Sequence, residues 1–153
     1  MTIPESIQKF ITWIQGFDHR ILQNEDDVKE KFILPMLHYL CYPERCRREY
    51  PLTSKSGNYH RNTEFVQVYY KTNDIQQQNT NNSLMAIKAI APNETKLNEV
   101  VQQNKSYNDN FNALFFVITN GYDIKVFKRS HYYKEESVFD LNIYILKNNY
   151  IAS

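Results

Sequence analysis

The chain has 153 residues, with 18 Lys plus Arg against 17 Asp plus Glu and a net charge of +1. That length holds one core and leaves no room for a second of ordinary size, so residues 1–153 are expected to form a single domain. The balanced charge excludes a general attraction to nucleic acid or anionic membrane, and any polyanion would need a local basic patch.

In chain order, Ile3, Ile7, Phe10, Ile11 and Ile14 predict one apolar helix face that Gly16 ends. Asn24 is a good N-cap, and Glu25, Asp26 and Asp27 load the first turn of a second helix with the negative charge its dipole favours. Val28, Phe32, Met36 and Tyr39 or Leu40 continue it as an apolar stripe, with a kink expected at Pro35. CRREYPLTS (46–54), a KSGN turn and TEFVQVYY (63–70) predict a hairpin. TNDIQQQNTNNS (72–83) lacks apolar periodicity and reads as a loop, and SLMAIKAIA (83–91) as a third strand. A helix is expected from about Glu94 to Asn110, with Leu97, Val100, Tyr107 and Phe111 on one side. ALFFVIT (113–119) follows as a buried strand, then an NGYD turn into IKVFKR (124–129). SVFDLNIYILKNNYIAS mixes alternating and helical features and predicts no element. The order implies an α/β fold, a mixed sheet flanked by helices.

The N-terminal MTIPESIQKFITWIQGF lacks the basic start, apolar centre and small-residue cleavage site of a secretion signal. ALFFVI, the longest apolar run, is far short of the about 20 residues that span a bilayer. A soluble, cytoplasmic protein without membrane contact is expected. Cys41 and Cys46 suit a reducing compartment, and with His38 they form too sparse a set for zinc, with no CxxC pair.

NEDDVKEKFILPMLHYL, RREYPL, TEFVQVYY, AIKAIAP, VVQQNKSY and FFVITNGYDIKVFK, in that order and spacing, resemble the N-terminal nuclease domain of type I restriction enzyme R subunits. That domain belongs to the PD-(D/E)XK, restriction-endonuclease-like superfamily, and the resemblance covers about residues 24 to 129. It implies a site in which a strand Asp and a Glu on the next strand bind Mg²⁺, while a Lys two residues past the Glu helps hold the attacking water. A spacing of two puts Glu and Lys on one strand face. A helix acid and a Gln-x-x-x-Tyr pair complete the set.

Carried over by position, Glu25 matches the helix acid, Glu64 stands for the strand Asp, and Gln103 with Tyr107 match the helical pair. The catalytic strand departs: Lys88 replaces the metal-binding Glu and Ile90 replaces the Lys. A cation opposes the metal and an alkyl group cannot orient water, so no metal or other cofactor is expected and the site is vestigial. Each residue also has a plainer role: Glu25 as a first-turn acid, Glu64 as a surface charge, Gln103 solvated and Tyr107 in the core. Lys88 is the hardest to explain plainly. Leu84, Ala86 and Ile90 share its face, and an unpaired ammonium there would suffer a desolvation penalty of roughly several kcal/mol unless Glu64 or Glu25 meets it.

Arg45, Arg47 and Arg48 start one strand, and Lys125, Lys128, Arg129, His131 and Lys134 cluster late. If they share a face they could hold DNA phosphates; otherwise they are solvated edges that keep the sheet from aggregating. Three functions stay open. The favoured one is a non-cleaving relative of the restriction nuclease domain, serving as a DNA-binding or structural module, with a helicase or another module of the same system as partner. A second is a Mg²⁺-dependent DNA endonuclease whose acid or lysine has migrated to Glu94, Glu99 or Lys96. The third is an unrelated α/β protein-interaction domain.

Overall fold

The structure, a computed structural model, describes residues 3–50, 65–70, 78, 83–97, 99, 113–129 and 135–143. Helix α1 (Glu5–Gly16) follows Pro4, carries Glu5 in its first turn, and closes where Phe17 N–H returns to Ile14 O at 3.3 Å. Its expected apolar face is only half used. Ile14 is buried, and Trp13 stacks on Tyr39 and packs against Phe32, but Ile3 and Ile7 are 39% and 40% exposed. Contact with the core is made from Phe10 onward, through Phe10, Trp13, Ile14 and Phe17.

Asn24 caps α2 (Glu25–Asp27) as expected: its Oδ1 accepts Asp27 N–H at 2.9 Å, and Asp27 Oδ2 accepts Gln23 N–H at 3.0 Å. The helix runs through a π-helical stretch (Val28–Ile33) into α3 (Leu34–Tyr39). Here the expected kink at Pro35 takes another form. Leu34 N–H reaches back to Lys29 O, and this wider turn relieves the crowding a proline ring imposes on the preceding turn. Helix α3 ends in a left-handed Cys41 (φ 67°), with Tyr42 N–H on Leu37 O and Cys41 N–H on His38 O. This is the cap geometry usually given to glycine.

Six strands follow: β1 (Arg47–Tyr50), β2 (Phe65–Val68), β3 (Met85–Ala89), β4 (Phe115–Thr119), β5 (Asp123–Arg129) and β6 (Glu135–Asn142). They lie side by side in chain order, and β3 and β4 are parallel while every other neighbouring pair is antiparallel. Asn120 and Gly121 make the β4–β5 turn: Asn120 Oδ1 accepts Tyr122 and Asp123 N–H at 2.9 and 2.8 Å, and Gly121 takes φ +92°. Strand β6, unassigned from sequence, pairs along β5 through a register shift at Val126/Phe127.

Alternation along the strands divides the buried residues between two faces. On β3, Ile87 and Ala89 join Val66, Val117 and Ile124 in the core under the helices, with Val28, Phe32, Ile33 and Leu37. Ala86 and Ile90 turn to the other face, with Phe65, Phe116, Ile118 and Leu97. Of the expected 94–110 helix, only Leu97 and Glu99 among its helical positions are described, and Leu97 is buried in that second core. Residues 94–96 are not helical, so the expected start at Glu94 moves to Leu97, while residues 98 and 100–110 and the KSGN turn lie outside the described residues.

Candidate functional site

The row of cross-strand partners through Lys88 runs Phe65, Lys88, Ile118, Lys125, Asp140. Partners in a row share a sheet face, so Lys88 projects with Phe65 and Ile118 onto the face opposite the main helical core. Lys88 is 5% exposed, and its Nζ lies 5.5 Å from the centroid of the Phe65 ring, within cation–π range. Burial pushes the Lys88 pKa down, and the carboxylate of Glu25 acts the other way. The same pair appears from the other side: burial raises the Glu25 pKa, Lys88 lowers it, and neighbouring Asp26 raises it. Glu25 is half-buried at the first position of α2, where the Asn24 cap sets the direction of the chain. The cap on one element and the strand phase of another thus bring an acid and an ammonium within electrostatic reach.

Ile90, two residues past Lys88, is 4% exposed and packs with Ala86, Phe116, Ile118 and Leu97. Its N–H donates to Thr119 O at 2.8 Å, which extends the β3–β4 pairing by one residue. Position 90, which the resemblance assigns to the water-holding lysine, is packed with hydrocarbon. Glu64, Gln103 and Tyr107 lie outside the described residues.

The described residues do not fit a divalent cation at this site. A metal between Glu25 and position 88 would face an ammonium where a second carboxylate is required, with an alkyl side chain beyond it. Among the described residues no group of three or more His, Cys, Asp and Glu is placed to hold a metal, and Cys41 and Cys46 are free thiols, one exposed and one buried. Of the acids past Pro92, Glu94 lies beside the ends of β3 and β4, where its N–H donates to Ala91 O at 3.0 Å. Glu94 Oε1 accepts Lys96 N–H at 2.8 Å, Glu94 O accepts Asn120 Nδ2 at 2.7 Å, and Lys96 and Glu99 are exposed.

The basic residues do not converge. Arg47 and Arg48, being adjacent on β1, leave opposite faces of the sheet. Arg47 Nη1 donates to Leu34 O at 3.2 Å, whereas Arg48 Nε donates to Gln78 Oε1 at 3.0 Å, and Gln78 Nε2 in turn donates to Arg45 O at 2.7 Å. Lys125, Lys128 and Arg129 lie on β5, separated from β1 by β2, β3 and β4, or about 19 Å at ordinary strand spacing. Lys125 is within 3.6 Å of Asp140, while Arg45 and Lys128 are exposed. His131 and Lys134 lie outside the described residues. Sequence reasoning grouped Lys125 with the late basic cluster and missed that it shares the row of Lys88. Only the strand pairing reveals that.

The description "Type I restriction enzyme R protein N terminus (HSDR_N)" belongs to the family model that matches residues 24–141, from the Asn24 cap to the end of β6. Comparison with curated proteins and with solved structures gives no significant match. Among the described residues no helix is long and apolar enough to cross a membrane. The mixed six-stranded sheet with helices is consistent with a restriction-endonuclease-like fold. With a family model covering most of its length, the chain belongs to the family of the type I restriction enzyme R protein N terminus.

Proposed function

We propose that the chain is a non-cleaving member of this family, a vestigial PD-(D/E)XK domain that works in the cytoplasm as a structural or DNA-binding module of a restriction system. The observation that carries this reading is Lys88, an ammonium buried on the site face within electrostatic reach of Glu25, at the position where the resemblance calls for a metal-binding carboxylate. A Lys–Glu attraction replaces the metal–carboxylate one, and the packed Ile90 removes the water-holding group next to it. No Mg²⁺ is required by such a module. Between the two roles, the dispersal of the basic residues over both faces and distant strands supports bracing a neighbouring helicase or other module over gripping a long run of DNA phosphates.

The test is plasmid nicking with Mg²⁺ and Mn²⁺, alongside calorimetric metal titration. No cleavage and no binding at this site are expected. Metal-dependent cleavage that disappears in Glu64→Ala would reject the reading and favour an endonuclease with rearranged residues.

A further inference from the structure

The sequence contains a single Asn-Gly pair, Asn120–Gly121, in the turn between β4 and β5. The fold requires both residues. Gly121 takes φ +92°, and a Cβ on it would collide with the Leu22 side chain. Asn120 is 2% exposed and uses both ends of its carboxamide, Oδ1 accepting Tyr122 and Asp123 N–H at 2.9 and 2.8 Å and Nδ2 donating to Glu94 O at 2.7 Å.

An asparagine followed by glycine can react with its own backbone, because no side chain crowds the glycine nitrogen. That nitrogen gives its proton to solvent base and attacks the side-chain carbonyl. A bond forms between Gly121 N and Asn120 Cγ, the Cγ–Nδ2 bond breaks, and the leaving nitrogen takes a proton from solvent and departs as ammonia. Water then opens the cyclic imide at either carbonyl, giving aspartate or isoaspartate. Water is consumed and ammonia released, with no oxidation or reduction.

The fold treats the two partners of this reaction oppositely. The two N–H groups on Asn120 Oδ1 are donors of the kind that stabilise charge developing on a carbonyl oxygen under attack. The nucleophile is withheld. Gly121 N–H donates to Thr119 Oγ1 at 3.0 Å, and Thr119 is fully buried, so the proton leaves only when the turn opens locally.

We infer that Asn120–Gly121 is a modification site, where water converts the asparagine to aspartate or isoaspartate when the turn opens and Thr119 releases the Gly121 N–H, and that the conversion loosens the turn. Three parts of the molecule meet there. Glu94 O loses its donor and faces a carboxylate instead, and the extra backbone methylene of isoaspartate disturbs the Thr119↔Ile124 register of β4 with β5. Gly121 O lies 2.8 Å from His19 Nε2, a tie to the segment that precedes the family match. The inference is independent of how the Lys88 site is read.

The experiment incubates the full chain in mildly alkaline buffer with and without urea, and follows the peptide carrying residues 120 and 121 by mass spectrometry for conversion of the amide to the acid. Conversion about tenfold slower in the native chain than in the unfolded one is expected. Thr119→Val, which removes the hydroxyl, should speed both native conversion and amide exchange at Gly121. Thr119→Ser, which loses only the methyl group, should leave both slow, and Asn120→Asp should melt at a lower temperature than the wild type. No conversion in urea, equal rates in the native and unfolded chain, a folded Thr119→Val variant that converts no faster than Thr119→Ser, or an Asn120→Asp variant that melts with the wild type would each overturn the inference. Should Thr119→Val fail to fold, the contrast between native and unfolded wild-type chain decides in its place.

Discussion

The two faces of the sheet are built on different terms. Beneath the helices, Val66, Ile87, Ala89 and Val117 meet Val28, Phe32, Ile33 and Leu37 in a core of hydrocarbon. The opposite face buries Phe65, Ile90, Phe116 and Ile118 to a similar depth but also holds Lys88 and Gln67, each at least 95% buried. Gln67 leaves both of its amide atoms without a hydrogen-bond partner. A face chosen for stability alone would not keep a buried ammonium and an unsatisfied amide side by side on neighbouring strands. Polar groups are thus retained on the face that carries Lys88, the face to which the proposed vestigial site belongs.

The strongest way to test this contrast is to cut into the hydrocarbon face. Phe32→Ala should lower stability by about 3–5 kcal/mol in denaturant melts, because Phe32 is fully buried among aromatic neighbours that cannot close the cavity. Next in size is Lys88→Glu, which sets two carboxylates against each other. A loss of about 2–3 kcal/mol without metal is expected, below the range for fully buried pairs because Glu25 is half-exposed. Thermal melts with increasing Mn²⁺ should then recover part of it, as a ligand specific to the native state must. A folded Lys88→Glu variant indifferent to metal would mean that position 88 does not face a former metal site.

Gln67→Met should act in the opposite direction to Phe32→Ala. It removes two unsatisfied buried groups at nearly constant volume, and a gain of about 1 kcal/mol in the midpoint of urea unfolding is expected. A loss of that size would show that the amide has a partner such as a buried water, and would weaken the contrast between the faces.

The smallest effect is one of pH. The raised Glu25 pKa means that its contribution to stability is fully present below its ordinary value of 4.5 and is lost as pH rises through the raised one. Lys88 has a lowered pKa, so its contribution is present above 10.5 and is lost as pH falls through the depressed value. Both contributions are therefore absent where both groups are charged. The stability of the wild-type chain relative to Glu25→Gln should decline as pH is raised from below 4.5 through the Glu25 titration, measured as a difference between melting curves. A difference that rises over this range would give the Glu25–Lys88 attraction more weight than burial.

What the sequence disclosed was mostly local chemistry. The Asn24 cap, the Asn120–Gly121 turn and the apolar runs of β2, β3 and β4 are written in neighbouring residues, and each formed where expected. The helix acid could be tied to Lys88 only through a family resemblance, since residues 25 and 88 share no periodicity. Less legible were features set by distant partners. Ile7 stays 40% exposed although it lies on the apolar stripe, and β6 is a strand by pairing along β5. Arg47 and Arg48 look like one patch in a string of letters, but the strand sends them to opposite faces.

The parallel pairing of β3 and β4 also bears on how the chain folds. β1 with β2, β4 with β5, and β5 with β6 are antiparallel neighbours in sequence, whereas β3 and β4 can meet only after the chain from Ile90 to Leu114 has crossed over. Closing that crossover reduces chain entropy before the contacts it permits can compensate, so joining the two halves of the sheet is expected to limit the rate of folding. Ile118 is the β4 partner of Lys88, and the ammonium is therefore stripped of water on that side only when the halves meet. Replacing Lys88 with an apolar residue should then speed this joining step, so that the change in stability falls on the refolding rate and leaves the unfolding rate nearly unchanged.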